Sequence, residues 1–300
     1  MSAFEDHNYC SNSNDQIDQF KSNVFYFSNN HLESGKHISR FTLRAISGGF
    51  QHYNIDGCEK TLTDDNFLLV EQGMAFEHYL NQSTAVEGVI VAFSPQFLSN
   101  YFHQCGKSTA ELLDHPEPYY SQHFHFYSNT FAKSSKLKEL LEGIAMDIRS
   151  KDHPRLYYEE MFSCIFDEVI RIDNHLNSRI NTLSALKGRT RQELYKRLSL
   201  AKDFIDSNID KDLSLEVIAQ AAYLSPFHFL RSFKNFYQIT PYQYILQTRL
   251  KRAKFYFDQK TFNQSEVMSM CGFEHIKSFQ RVYKKYFGIS PSQYVMKVAS

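Results

Sequence analysis

Apolar residues in the first 130 positions come in short runs, such as Arg40 to Ile46, Phe67 to Val70 and Val86 to Phe93, rich in β-branched or aromatic side chains. Gly49, Gly57, Gly73 and Gly88 punctuate these runs, which predicts short strands joined by glycine turns in a small barrel or sandwich. From about Ser134 the period becomes helical, with Leu137, Leu140, Leu141 and Ile144 in one segment and Leu156, Met161, Ile165, Phe166, Val169 and Ile172 in the next. These two helices present an apolar surface suited to pairing with a twin. Asn174 to Arg189 is polar and reads as a linker. Thr190-Arg191-Gln192-Glu193 then has the form of a capping box, and Leu194, Leu198, Ala201 and Ile205 make a stripe, predicting a helix from about Arg191 to Asn208.

Further on, the chain repeats itself. Ser225 to Tyr244 (SPFHFLRSFKNFYQITPYQY) lies over His275 to Tyr294 (HIKSFQRVYKKYFGISPSQY) at a constant shift of 50, with seven of twenty positions identical. The identities are Phe229/Phe279, Arg231/Arg281, Lys234/Lys284, Ile239/Ile289, Pro241/Pro291, Gln243/Gln293 and Tyr244/Tyr294. Without a gap the match extends upstream through Val217/Val267, Ile218/Met268, Ala221/Cys271, Ala222/Gly272 and Tyr223/Phe273. Each copy reads as helix, tight turn, helix: Ser214 caps the first helix, and Ser225-Pro226 restarts the chain as the second. Phe229, Phe233 and Phe236 share an inward face, as do Phe279, Tyr283 and Tyr286. A mixed, basic face points outward. A braced helix with such a face suits the major groove, where Arg reads guanine, Gln reads adenine and apolar side chains touch thymine methyls. Thr240-Pro241 and Ser290-Pro291 each start a further helix, and the first of these is long enough to space two readers rigidly.

Charge sharpens this picture. The chain is neutral overall, yet residues 1 to 184 hold 14 Lys+Arg against 24 Asp+Glu, a balance of −10, and residues 185 to 300 hold 19 against 9, a balance of +10. The basic half is the repeated half, which points to a polyanion as its partner.

Residues from about Arg191 to Met296, carrying LSPFHFLRSFKNFYQITPYQY and GFEHIKSFQRVYKKYFGISPSQY, resemble the DNA-binding domain of the AraC/XylS family of bacterial transcription regulators. The resemblance implies an α+β chain. An N-terminal cupin-like β-barrel is followed by dimerisation helices, and a C-terminal all-α domain holds two helix-turn-helix motifs. The boundaries are 1–132 for the sensor barrel, 133–176 for the dimerisation segment, 177–190 for the linker and 191–300 for the DNA-binding domain. Base contact falls by motif on Phe227, Leu230 and Arg231 in the first reading helix, and on Ile276, Lys277, Gln280 and Arg281 in the second. Phosphate contact falls on Ser225, Lys234 and Lys284. The implied partners are double-stranded promoter DNA, a second copy of the chain, RNA polymerase and a small-molecule effector. Gln238 stands where the family usually has Gly, so the first reading helix should end under strain or close differently from the second, which keeps Gly288.

The competing reading is a cupin-type enzyme with an accessory DNA-binding domain. His52 and His78 lack a ligand set, and His123 and His125 are only two. No nucleophile elbow, phosphate loop or dinucleotide fingerprint occurs, so neither a catalytic group, a metal nor a cofactor is expected. Five scattered cysteines, Cys10, Cys58, Cys105, Cys164 and Cys271, read as free thiols. No stretch has the length and hydropathy of a membrane span, and the polar N-terminus does not read as a signal peptide, so the chain is expected in the cytoplasm with no membrane partner. Aromatics such as Phe41, Phe50, Tyr53 and Phe93 are expected to line the barrel lumen.

Overall fold

The computed structural model describes residues 21–104, 126, 130–150, 155–183 and 188–299. His123, His125, Cys10 and Cys105 lie outside the described residues. The chain packs as two units. One comprises most of the chain up to Leu176, and the other comprises Asn177–Ser300 together with Gly57–Thr61 and Asn81–Thr84.

The strands are β1 (Asn23–Ile38), β2 (Thr42–Ser47), β3 (Gln51–Ile55), β4 (Cys58–Leu62), β5 (Asn66–Val70), β6 (Ala75–Ala92) and β7 (Thr130–Ala132); residues 58–61 of β4 and 81–84 of β6 belong to the second unit and the rest to the first. They form one sheet in the order β4-β3-β6-β2-β5-β7, with β1 also on β6, curled into a near-closed barrel. Strand β2 pairs antiparallel with both β5 and β6, setting Leu43 opposite Leu69 and Val91. Alternation then sorts the side chains onto two faces. Ile46, Leu68, Val70, Tyr53, Phe76 and Leu80 pack inside the barrel. Leu43, Ala45, Phe67, Leu69 and Val91 face out, beneath α1 (Pro95–Gln104), α2 (Ser135–Ser150) and α3 (Arg155–Asn181).

Several expectations are corrected here. Phe41 and Phe93 belong to the outer cluster with Phe166, so of the four aromatics expected in the lumen only Tyr53 joins its inner cluster; Phe50 is buried but in neither. Gly88 is no turn: it lies within β6, where an added Cβ would meet the Phe27 ring at 2.1 Å. The stripe of Leu137, Leu141, Ile144, Ile165, Phe166 and Val169, read as a surface for a twin, is buried in the unit's own core. Within the range 177–190 read as a linker, residues 177–181 still belong to α3 and residues 188–190 already belong to α4 (Gly188–Ser207). Thr190 therefore lies inside a helix and forms no capping box.

The second unit continues with α5 (Leu215–Ala221), α6 (Pro226–Tyr237), α7 (Pro241–Asp258), α8 (Gln264–Met270), α9 (Ile276–Phe287) and α10 (Pro291–Ala299). The α4 stripe of Leu194, Leu198, Ala201 and Ile205 is buried as its spacing predicted. Lys60 of this unit donates to the Asp203 carboxylate, both side chains being nearly sealed from solvent. No described helix is long and apolar enough to cross a membrane.

Candidate nucleic-acid interface

Two helix-turn-helix modules occupy the second unit. In the first, Ser214 caps α5 by accepting from the Val217 amide at 3.3 Å, and Ile218, Ala219 and Ala222 turn inward to let the next helix approach. The chain reverses through Tyr223, whose φ of 53° is left-handed, and α6 starts at Pro226. Ser225 occupies the cap position, but its hydroxyl accepts no helix amide, contrary to the capping role read for it. In the second module Asn263 and Glu266 form a reciprocal capping box on α8, and Gly272 takes the left-handed turn position at φ 70°. This turn is one residue longer than the first. The gap-free alignment is therefore one residue out upstream of the reading helices: Ile218, Ala219 and Ala222 correspond to Val267, Met268 and Cys271, and Val217 is 44% exposed where Val267 is sealed. Burial pushes the Cys271 thiol up to about 12, leaving it an inert core group.

The reading helices α6 and α9 divide as expected between a packed and a presented side. Phe229, Phe233, Phe236, Phe279 and Tyr283 are buried. Tyr286 is corrected: it is 41% exposed. Its counterpart Phe236 is covered by the Tyr195 ring at 5.0 Å and by the Arg179 guanidinium at 4.7 Å, neither of which recurs in the second module. On the other side Phe227, Leu230, Arg231, Ile276, Lys277 and Arg281 are exposed, Gln280 is half-buried, and Ser225, Lys234 and Lys284 are exposed around them. Phe227 at 76% and Ile276 at 46% are apolar side chains held in solvent at the first turn of their helices. Gln238 ends α6 at φ 62°, against 80° for Gly288 in α9. Its side-chain amide donates to the Asn235 carbonyl at 2.6 Å, so the first module closes with a bond that glycine does not make.

The helices after each reader explain the repeated residues. Thr240 and Gln243 form a capping box on α7, and Ser290 and Gln293 repeat the same exchange on α10. The Tyr244 hydroxyl donates to Asp206, which is paired with Lys202 at 2.8 Å; Tyr294 donates to Asp258, paired with Lys254 at 2.9 Å. Each lysine also lies over its tyrosine ring, at 5.8 Å and 5.2 Å. Burial and the neighbouring Asp206 push the Tyr244 hydroxyl far up, so it stays a donor. These latches were missed by the sequence reading. The signal was AKDFID at 201–206 against AKFYFD at 253–258, a shift of 52 that a fixed 50-residue register hides.

One further residue joins the modules. Arg249 of α7 donates from Nε to the Ile209 carbonyl at 2.9 Å, from Nη2 to Lys211 at 2.6 Å and from Nη1 to Gly272 at 2.8 Å. Gly272 has room for nothing larger, since a Cβ there would lie 2.7 Å from the Asp210 carbonyl and 2.8 Å from Arg249. The result is two exposed faces of Arg, Lys, Gln and apolar residues, on a spacer whose 18 residues span about 27 Å. Among the described residues no group of three His, Cys, Asp or Glu is placed to hold a metal ion.

A helix-turn-helix domain family model matches residues 218–297. The probable transcriptional regulator LumQ of Photobacterium leiognathi is 32% identical over 95 residues, which cover 32% of this chain and 38% of that protein. The bifunctional transcriptional activator/DNA repair enzyme AdaA of Bacillus subtilis is 31% identical over 97 residues, covering 32% of this chain and 46% of that protein. Among solved structures, a transcriptional regulator of AraC-type DNA-binding domain-containing proteins from Chromobacterium violaceum is 27% identical, with a TM-score of 0.33, covering 35% of this chain and 95% of that one. The chain thus spans less than half the length of these two curated relatives, and the family-model match lies within the second unit.

Proposed function

We propose that this chain, whose residues 218–297 form a helix-turn-helix domain of the AraC type, is a sequence-specific transcription regulator acting on double-stranded promoter DNA. The observation that carries the reading is the pair of exposed basic faces on α6 and α9, held at fixed separation by α7 and the Arg249 staple. Successive major-groove segments on one face of a duplex lie about 34 Å apart, which a spacer of about 27 Å with a reader at each end can match. Lys234, Lys284 and Ser225 meet phosphates and set register. Arg231, Gln280 and Arg281 choose bases, while Phe227, Leu230, Ile276 and Lys277 complete the groove contact.

In this reading the first unit is a cupin-like sensor for a small-molecule effector, and it is not an enzyme. The protein works in the cytoplasm as a homodimer and engages RNA polymerase. Selection of bound sequences from random duplex DNA by the full chain tests the central claim. The expected result is a motif with two half-elements about one helical turn apart; recovery of unenriched sequence at physiological salt refutes it.

A further inference from the structure

The two modules reverse direction with the same backbone and unlike side chains. In the first, the Tyr223 and Leu224 amides donate back to the Gln220 and Ala219 carbonyls at 3.0 Å each; in the second, the Gly272 and Phe273 amides donate to Ser269 and Met268 at 3.1 Å and 2.9 Å. Tyr223 and Gly272 are therefore equivalent, each the left-handed residue that ends the first helix of its module, at φ 53° and 70°. An arginine fixes both. Arg197 of α4 donates from Nη1 to the Tyr223 carbonyl at 3.0 Å and from Nε to Glu193 at 2.9 Å, and Arg249 of α7 likewise donates from Nη1 to the Gly272 carbonyl at 2.8 Å. The two arginines are themselves repeats, occupying the same place in LYKRLSLAKDFID (194–206) and LQTRLKRAKFYFD (246–258).

What differs is the residue the turn carries. Glycine takes a left-handed φ freely, whereas a bulky side chain there crowds its own backbone. At 272 close packing leaves no room for a Cβ, so glycine is favoured twice over. At 223 the same conformation is imposed on a tyrosine that is 77% exposed. Among the described residues its hydroxyl has no hydrogen-bond partner, only the carbonyl of the turn being held. Neither core packing nor an internal bond of the side chain offsets the strain, and a backbone outlier that the fold does not need points to a role outside it. Tyr223 stands two residues before the Ser225 cap of α6, with Ser225, Pro226 and Phe227 exposed after it. When the first residues of α6 reach base edges, the turn in front of them passes the phosphate wall of the groove.

We propose that Tyr223 is a further DNA-contacting residue of the first module, its hydroxyl donating to a backbone phosphate beside the groove that α6 enters, on a turn pinned by Arg197. Phosphate oxygens are strong acceptors, and tyrosine is among the side chains that meet them in protein–DNA interfaces. The contact sets the register of α6 without choosing bases. It rests on the DNA-binding reading above and adds an asymmetry to it: Gly272 offers no side chain at the equivalent point, so the two modules grip the duplex unequally.

The test uses the full chain with a duplex recovered from the selection described above and a scrambled duplex of equal length, reading affinity by fluorescence anisotropy at fixed salt and stability by thermal unfolding. Tyr223→Phe removes only the hydroxyl, and should weaken binding about tenfold on both duplexes, as for one lost hydrogen bond to a charged group, with Tm unchanged. Tyr223→Gly installs the residue of the second module, and should lose at least as much affinity while its Tm equals or exceeds that of the parent. A residue that only shaped the turn would not separate binding from stability in this way. Affinity of Tyr223→Phe within about twofold of the parent overturns the inference, as does a loss confined to the selected duplex or a Tm of Tyr223→Gly below the parent's. If the unaltered chain binds no duplex, the DNA-binding reading fails and takes the inference with it; parent binding with unaffected variants removes the Tyr223 contact alone.

Discussion

Replacing Arg249 by Met removes three hydrogen bonds while keeping most of the aliphatic stem. The Lys211 carbonyl is exposed and takes up water, so its loss costs little. The Ile209 and Gly272 carbonyls are partly buried, and at about 1.5 kcal/mol for each bond to a charged donor the variant should lose about 3 kcal/mol. Burial pushes the Arg249 guanidinium below its ordinary range, a sign that the cation sheds hydration to reach them, which holds the figure at the low end of the charged-bond range. For a domain of this size about 4 °C accompanies each kcal/mol, so the transition of the second unit should fall by about 12 °C in calorimetry. Hydrogen exchange should quicken most at 264–275, where the turn of the second module loses its tie. A shift below about 2 °C with unchanged exchange there would falsify the staple.

Lys60→Met should cost about 3–5 kcal/mol near neutrality by leaving Asp203 buried without its closest cation. Burial already raises the Asp203 carboxyl, against the pull of Lys60 and Lys202. The variant's extra loss relative to the parent should therefore be least below about pH 4 and grow as pH rises through the raised folded value; a pH-independent difference in Tm contradicts the pairing. Burial, then Arg44 and His37, push His78 down to about 3 when folded against 6.5, so it contributes stability that is present above pH 6.5 and lost as pH falls toward 3, up to about 5 kcal/mol. His78→Gln should flatten the Tm profile across that window, and an unchanged slope rules the contribution out. The Tyr283 hydroxyl has no partner among the described residues and stands where the first module has Phe233, so Tyr283→Phe should be neutral or stabilising by up to about 1 kcal/mol in urea titrations. On a selected DNA site Arg281→Ala should cost about 1–3 kcal/mol and relax one base position, whereas Lys284→Ala should weaken all duplexes evenly and lower the salt slope by about one; equal losses on cognate and scrambled DNA for Arg281→Ala remove its base-reading role.

The repeat made the second unit legible because folding residues recur with it: Pro241 and Pro291, Gln243 and Gln293, and Tyr244 and Tyr294 are each tied to a cap or a latch. What escaped was register, since insertions in turns leave each helix pair with its own offset. Tyr286 was misplaced because its spacing matched Phe236, while the cover over Phe236 comes from Tyr195 and Arg179, far away in sequence. In the first unit β2 and β5 were visible as apolar runs. Their two faces were not distinguishable, because both are buried and alternation of polar with apolar residues is lost.

On α6 and α9 the side chains that hold the modules together and those that look outward are different residues on opposite flanks. Exchanges among the outward set disturb stability by only a few tenths of a kcal/mol, so natural variants are free to drift in what they recognise without relearning how to fold. The same scaffold can be retargeted by rewriting a handful of positions, while its aromatic spine and its tyrosine fasteners stay untouched.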